Sequence, residues 1–280
     1  MDGHCLATMG WYLDDIIWGS AYGKLEILMM NATKQQIPRG FTIVELLIVI
    51  VVIGILAAIT IVAFNGVQEK AKVSAGKSFA SQIKHRDLSD ATGYWSFDEC
   101  SGTALVNSAG NATSQTNGVT GTTSFSADTP SGTGCSLSLN GSSYINTGMG
   151  LSNTYYSKSM WIKTAATGTA MNLISDVTGG TQSAFYLETY RPSAGHNGGW
   201  NTVLSQMTLN DNKWHFMFNE FKLNPSGTNG TMTLSVDGVT VATNSNTPLM
   251  GSPSNAQGIG TFGATSNFTG LIDDPMIVVR

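Results

Sequence analysis

The side chains of this chain whose types and spacing could do chemistry are few and widely separated. One is a lone carboxylate, Glu45, in the run Phe41 to Phe64, whose 24 residues are otherwise Leu, Ile, Val, Ala and Phe with Thr42, Gly54 and Thr60. A carboxylate in such apolar surroundings calls for a cationic partner, because an unpaired charge there loses its hydration without return. Further along, GHNGGWN sets Trp200 beside Asn197 and Asn201, with Tyr190 and Arg191 close before it. An aromatic face next to amides is the make-up of a glycan site in a long loop, and Tyr155-Tyr156 is a second candidate. Other chemistries lack their residues. His4, His85, His196 and His215 show no metal-ligand spacing, and no Gly-rich phosphate cradle occurs. Residues 91–280 carry six Lys/Arg against ten Asp/Glu, a net of −4, which argues against nucleic acid as a partner.

The elements that must position these residues follow from hydropathy. Phe41 to Phe64 has no polar face at helical period, so it suits lipid or tight helix packing. At 1.5 Å per residue it covers about 36 Å, enough to cross a hydrocarbon core of about 30 Å with some tilt. Beyond it, Val67, Ala71, Ala75, Phe79 and Ile83 recur about every fourth residue with charged and polar residues between them. This spacing predicts an amphipathic helix to about His85, loosened at Asn65-Gly66 and succeeded by a linker at Leu88 to Gly93, so that 65–90 connects the apolar run to the remainder of the chain. Lys24, Lys34 and Arg39 ahead of the run favour a cytoplasmic N-terminus, although Lys70, Lys72 and Lys77 on the far side oppose that bias. Residues 91–280 change character: rich in Gly, Ser, Thr and Asn, they break into short alternating runs, such as Met232, Leu234 and Val236, separated by turns such as Asp237-Gly238. That pattern predicts an all-β sandwich, apolar on one side of each strand and wet on the other. Its other strands are expected at Gly93–Phe97, Ser136–Ile145, Ser159–Lys163, Leu173–Asp176, Ala184–Tyr190, Trp214–Lys222 and Gly270–Val279, with Trp95, Trp161 and Trp214 in the core.

Arg39-Gly40-Phe41-Thr42-Ile43-Val44-Glu45 ahead of a long apolar run resembles the class III signal of type IV pilins and pseudopilins. The resemblance implies that a prepilin peptidase cuts between Gly40 and Phe41 and methylates the new amine of Phe41. It also implies that Glu45 neutralises such an amine in a neighbouring subunit as the filament assembles. Residues 1–40 would then be a leader, and Met29 or Met30 would open a shorter one, MNATKQQIPRG from Met30, closer to those of the family. The run lacks the Pro that kinks many pilin helices.

A second resemblance covers the remainder. YWSFDECSGT, SLSLNGSSYINTG, SMWIK, NDNKWHFMF, TLSVDGVTVA and FTGLIDDPMIV, in this order, are similar to a bacterial laminin-G-like, concanavalin A-like jelly roll, which implies two antiparallel sheets face to face. Departures are Asn107, Cys100 and Pro275. Cys100 and Cys135, the cysteines of the exported part, are expected to form a disulfide, which in the chain-entropy model would contribute about 3–4 kcal/mol; two free buried thiols are the alternative. Because the ends of a jelly roll are commonly neighbours, Asp98, Glu99, Asp273 and Asp274 could converge on a structural calcium ion, as laminin-G-like domains often do; otherwise Asp98 and Asp273 cap turns. The E-x-D-x-E strand pattern of jelly-roll glucanases is missing.

The fold expected is therefore α+β: a long N-terminal pilin-like helix, transmembrane in its first half (41–64), then a jelly-roll head at 91–280. The function expected is a non-enzymatic pilin subunit, held in the cytoplasmic membrane and then in an extracellular or periplasmic filament, displaying its head for adhesion to a glycan or surface protein. Its partners would be a prepilin peptidase, other pilin subunits and an inner-membrane assembly platform. A type II secretion pseudopilin, a membrane-anchored lectin that does not polymerise and a carbohydrate-active enzyme are the alternatives.

Overall fold

The computed structural model describes residues 40–110, 116–180 and 183–280; the leader positions, Met29 and Met30 among them, lie outside the described residues. One helix, α1 (Ile43–Asp87), is followed by seventeen strands. In chain order they are β1 (Ala91–Tyr94), β2 (Ala104–Val106), β3 (Thr116–Thr120), β4 (Ser124–Ser126), β5 (Ser136–Asn140) and β6 (Tyr144–Asn146). Next come β7 (Tyr155–Lys163), β8 (Ala170–Asn172), β9 (Ile174–Asp176), β10 (Ser183–Glu188), β11 (Arg191–His196) and β12 (Gly199–Leu204). The last are β13 (His215–Leu223), β14 (Asn229–Val236), β15 (Val239–Pro248), β16 (Gln257–Ile259) and β17 (Thr269–Val279). By contacts the chain divides into two units, one reaching to Ile55 and the other from Leu56 to Arg280.

The first unit is the start of α1, whose large apolar side chains from Ile43 to Ile55 are all exposed, as expected of a surface made for lipid or for other helices. Among the described residues α1 is the one helix long and apolar enough to cross a membrane. It runs without a break through Asn65 and Gly66, since neither a single Gly nor an Asn outweighs continuous helical hydrogen bonding on both sides.

In the second unit, an eight-stranded sheet runs β15-β14-β13-β7-β17-β5-β4, with β1 also paired to β17. Across the sandwich core lie two smaller antiparallel sheets, β12-β11-β10-β8 and β2-β3-β6-β16-β9. The second layer is thus divided where one sheet was expected, and Ser136–Ile145 is two strands split at Gly141, where φ is +82°. The inner alternating positions of β7, Tyr156, Met160 and Ile162, meet Met217 and Phe221 of β13 and Phe185 and Leu187 of β10 in one buried cluster. Lys158 shares that inner face. Its Nζ donates to the Ile174 carbonyl at 2.9 Å, Ser183 Oγ at 2.6 Å and Gln257 Oε1 at 2.8 Å, so all three donors are satisfied across three strands. Burial pushes its pKa down to about 7.

The outer face of the large sheet is not wet at its centre. Trp161, Phe216, Phe218, Met276 and Val278 are buried there against Ile83, Phe79 and Ala80 of α1. Phe79 meets the rings of Phe216 and Phe218 edge-on at 5.9 and 5.6 Å. The side chains of Val67, Ala71 and Ala75 in the expected stripe are exposed, and the stripe that packs closely on the sheet is Gly76, Phe79, Ile83 and Asp87. A Cβ on Gly76 would stand 3.0 Å from both Trp161 and Asp237, so glycine sets how closely the helix approaches. At the end of α1 the fully buried Asp87 is held by Arg86 at 2.6 Å and Arg280 at 2.9 Å, and Arg280 also reaches Asp90. β1 begins almost at once, so the expected linker reduces to residues 88–90.

His215 closes this dock from the sheet side. Its Nδ1 lies 2.7 Å from Asp237 Oδ2 and its Nε2 3.2 Å from Asp211 Oδ1, while Asp237 Oδ1 accepts from the Phe216 amide. Burial pulls the imidazole pKa down, but the Asp237 hydrogen bond and charge, helped by Asp211, outweigh it and hold the value above normal. A raised folded value means that the imidazolium stabilises fully below its unfolded pKa of about 6.5 and loses that contribution as pH rises through the folded value. Thermal melts across this window should show wild type losing stability relative to His215→Gln as pH rises; parallel curves would refute the ion pair's role.

Candidate functional site

At the start of α1, Thr42 is the N-cap and Glu45 its reciprocal partner. The Thr42 amide and Oγ1 both donate to Glu45 Oε2 at 2.8 Å, and the Glu45 amide donates back to Thr42 Oγ1 at 3.2 Å. This is a capping box, in which one side chain satisfies the amide of the other. The T-x-x-E spacing that signals it is present in the sequence at Thr42 and Glu45. Both Gly40 and Phe41 are exposed just ahead of the helix.

The expected acidic group is only partly assembled. Burial first, and the charge of Asp98 as well, raise the carboxyl pKa values of both Asp273 and Asp274, so the three share one neighbourhood. Glu99 leaves them: its Oε1 accepts from the Val106 amide at 2.8 Å, and its buried Oε2 has no partner among the described residues. Asp273 Oδ1 accepts from the Asp274 amide at 2.9 Å, and Asp274 Oδ1 accepts from the Tyr94 hydroxyl, to which Lys84 Nζ also donates. The strand bulges here, with Asp274 at φ +48° and Pro275 in the gap, where a residue without an N–H costs no ladder bond. Among the described residues no three His, Cys, Asp or Glu side chains are gathered as a metal-ligand set, so the calcium expectation gains no support from this geometry. Cys100 and Cys135 are joined in a disulfide with Cα atoms 5.5 Å apart, across 35 residues, fastening the segment after β1 to the start of β5.

A cleft lies on the outer face of the four-stranded sheet. Ala184, Tyr186 and Glu188 alternate outward on β10 while Phe185 and Leu187 face the core. With Ala170 and Asn172 of β8, Ser266, Trp200 of β12 and Phe262 they line a cavity of about 170 Å³. The half-buried Trp200 stands edge-on to Phe262 at 5.3 Å, forming an aromatic wall. The floor is hydrogen-bonded: Tyr186 Oη and Ser193 Oγ both donate to Asn201 Oδ1, at 2.9 and 2.7 Å, and Asn172 Nδ2 donates to the Ser266 carbonyl. Burial and Glu188 push the Tyr186 hydroxyl pKa up, so it stays a donor.

The companions expected for Trp200 are elsewhere. Tyr190, at the β10–β11 turn with φ +69°, packs against the core, and Asn197, at the opposite end of β11, donates to the Leu249 carbonyl and accepts from the Gly251 amide. Consecutive hairpin turns fall at opposite ends of the strand they share, which separates residues that are neighbours in sequence. Tyr186, Glu188 and Phe262 were missed, although the outward alternation of β10 could have revealed the first two. Tyr155-Tyr156 is no platform. Tyr156 is buried and donates to His196 Nε2 at 2.6 Å, while Tyr155 donates to Glu220 Oε1 at 2.8 Å.

Residues 131–280, more than half of the chain, match the family described as the concanavalin A-like lectin/glucanases superfamily. The chain belongs to that superfamily. Residues 38–61 match the prokaryotic N-terminal methylation motif. The type IV major fimbrial protein FimA of Dichelobacter nodosus is 44% identical over 52 residues, which are 19% of this chain and 32% of that protein. Another fimbrial protein of that organism is 40% identical over 52 residues. The chain thus spans about a third of the length of these relatives. Domain 4 of AbnA, a GH43 extracellular arabinanase from Geobacillus stearothermophilus, solved in complex with arabinotriose, is similar with a TM-score of 0.51 at 20% identity over 68% of this chain and 92% of that one. The botulinum neurotoxin type G receptor-binding domain gives a TM-score of 0.49 at 14% identity, over 68% and 48% of the two chains. This member of the superfamily therefore carries a type IV pilin signal and an apolar helix ahead of its lectin-like head.

Burial, then the charge of Asp274, push Asp273 up to about 8 from the 3.8 of an exposed carboxyl. The folded state thus favours the protonated acid, so the group is harmless below about pH 4 and increasingly destabilising up to about pH 8. In calcium-free buffer Asp273→Asn should raise Tm at pH 8 and leave it unchanged at pH 4. A wild type that overtakes the variant when calcium is added would show an ion held at this cluster.

Proposed function

We propose that this protein is a type IV pilin-like subunit that uses its head to bind glycans at the cleft beside Trp200. The observation that carries the reading is the aromatic wall of Trp200 and Phe262 over a floor of fixed hydrogen-bonding groups, displayed on a chain with a pilin signal. A sugar offers an apolar ring face and a rim of hydroxyls. Trp200 suits the first; Glu188, Asn172 and Tyr186 suit the second. The cleft lies on the outer face of one sheet layer and α1 packs on the outer face of the other, so binding and helix packing do not compete. Cleavage after Gly40 by a prepilin peptidase exposes Phe41 for methylation, an inner-membrane platform lifts the subunit from the cytoplasmic membrane, and neighbouring pilins receive the apolar helix. Leaving lipid for a helical bundle is close to neutral for apolar side chains, so packing and pairing of Glu45 with a neighbouring amine decide the exchange.

Binding without turnover is the reading for the head, because Glu188 is the one carboxylate among the described cleft residues and glycoside hydrolysis ordinarily takes two. A secretion pseudopilin would share the processing and differ in the length of the fibre.

Two experiments test this. Glu45→Gln keeps the capping box and removes the charge, whereas Glu45→Ala removes both. If charge pairing drives assembly, both variants lose fibres while mass spectrometry still finds a mature chain beginning at methylated Phe41; fibres of normal abundance from Glu45→Gln would reduce Glu45 to a helix cap. On a glycan array that includes arabino-oligosaccharides, Trp200→Ala should weaken any retained sugar about three- to tenfold and Trp200→Phe less. Retention unaffected by Trp200→Ala would move the site elsewhere.

A further inference from the structure

The lysines just beyond the apolar run have no place in filament assembly or glycan binding, and they oppose the charge bias that orients the run. Within the second unit Lys70, Ser74 and Lys77 lie along one side of α1 and face Lys163, Lys213 and Trp214 of the head across a groove of about 550 Å³. The acids nearby are already engaged. Asp128 takes Lys163 at 2.5 Å and the Trp214 Nε1 donor at 2.8 Å, and Asp211 serves His215 and Lys213. Neither Lys70 nor Lys77, both exposed, has an acidic partner among the described side chains, so the groove carries excess positive charge.

Its position says what that charge meets. Lys70 lies six residues after Phe64, about 9 Å along the helix from the end of the apolar run, which is the depth of a phospholipid headgroup when the run fills the hydrocarbon core. Helical side chains also lean toward the helix N-terminus, which here is the bilayer side. We infer that this groove binds the phosphate headgroups of anionic phospholipids in the leaflet on the head's side, seating the subunit at a set depth before it is drawn into a filament. The inference rests on the membrane stage of the proposed function. An anionic lipid is favoured over a soluble anion because the groove continues directly from the segment that enters the bilayer.

The test uses the full chain in detergent with equimolar phosphatidylglycerol and phosphatidylcholine of identical acyl chains, with retained lipid identified by native mass spectrometry. Wild type should retain phosphatidylglycerol in preference, and Lys70→Gln with Lys77→Gln should cut that preference by roughly fivefold per lysine. Lys222→Gln, outside the groove, should leave it intact. Equal retention of the two lipids, or a preference that survives the double substitution, overturns the inference, as does displacement of the lipid by millimolar inorganic phosphate. Carbonate extraction of membranes separates this from the reading beneath it: wild type and variants all resisting extraction keep the anchor whatever the lipid preference, and extraction of wild type removes anchor and groove together.

Discussion

Double burial at the centre of the large sheet is the constraint on which the second unit depends. Strand β7 sends Tyr156, Met160 and Ile162 into the sandwich and Trp161 outward, and an outward Trp beside Phe216 and Met276 would be costly in water. The last third of α1 covers it. Phe79 and Ile83 gain on the order of 1–3 kcal/mol each from leaving water, and Gly76 permits the approach that makes those contacts. The buried Asp87 with Arg86 and Arg280 then secures the helix end, tying the last helical residue to the last residue of β17's tail. A helix with one unbroken backbone thus answers two environments: side chains made for lipid or other helices at its start, and a sheet at its end.

That dock also imposes a division of labour on the head. With one outer face of the sandwich occupied by α1, the opposite outer face is the one left to present the cleft of Trp200, Phe262 and Tyr186. The cleft can be firm because the layers are joined by more than apolar contact: Lys158 bridges them through three hydrogen bonds, and His196, kept neutral by burial at a pKa of about 4, links Tyr156 to the Pro248 carbonyl at 2.8 Å. Such fully satisfied polar links specify one arrangement of a core where apolar packing alone tolerates several.

Much of this was legible in the residues. The apolar run, the N-terminal methylation motif, the β character of 91–280 and the pairing of Cys100 with Cys135 each depend on local pattern or on a small set of alternatives. The companions of Trp200 were not legible. Asn197 and Tyr190 are near it in sequence, yet strand β11 carries them to its two ends, while Phe262 arrives from far along the chain. Val67, Ala71 and Ala75 likewise have helical spacing, yet their side chains are exposed, because the close packing of sheet on helix falls at Gly76, Phe79 and Ile83.

By itself, then, the sequence determined what is written in nearest neighbours: a segment fit for lipid, a methylation motif, the T-x-x-E spacing of Thr42 and Glu45, and strands of alternating polarity. Tertiary structure alone decided which carboxylates meet, which aromatic residues share a cleft and where helix meets sheet. The reason is physical. Helix and strand periodicity are set over a few residues, whereas a site assembled from β8, β10, β12 and the segment before β17 depends on sheet order, and sheet order is settled by the packing of the whole core.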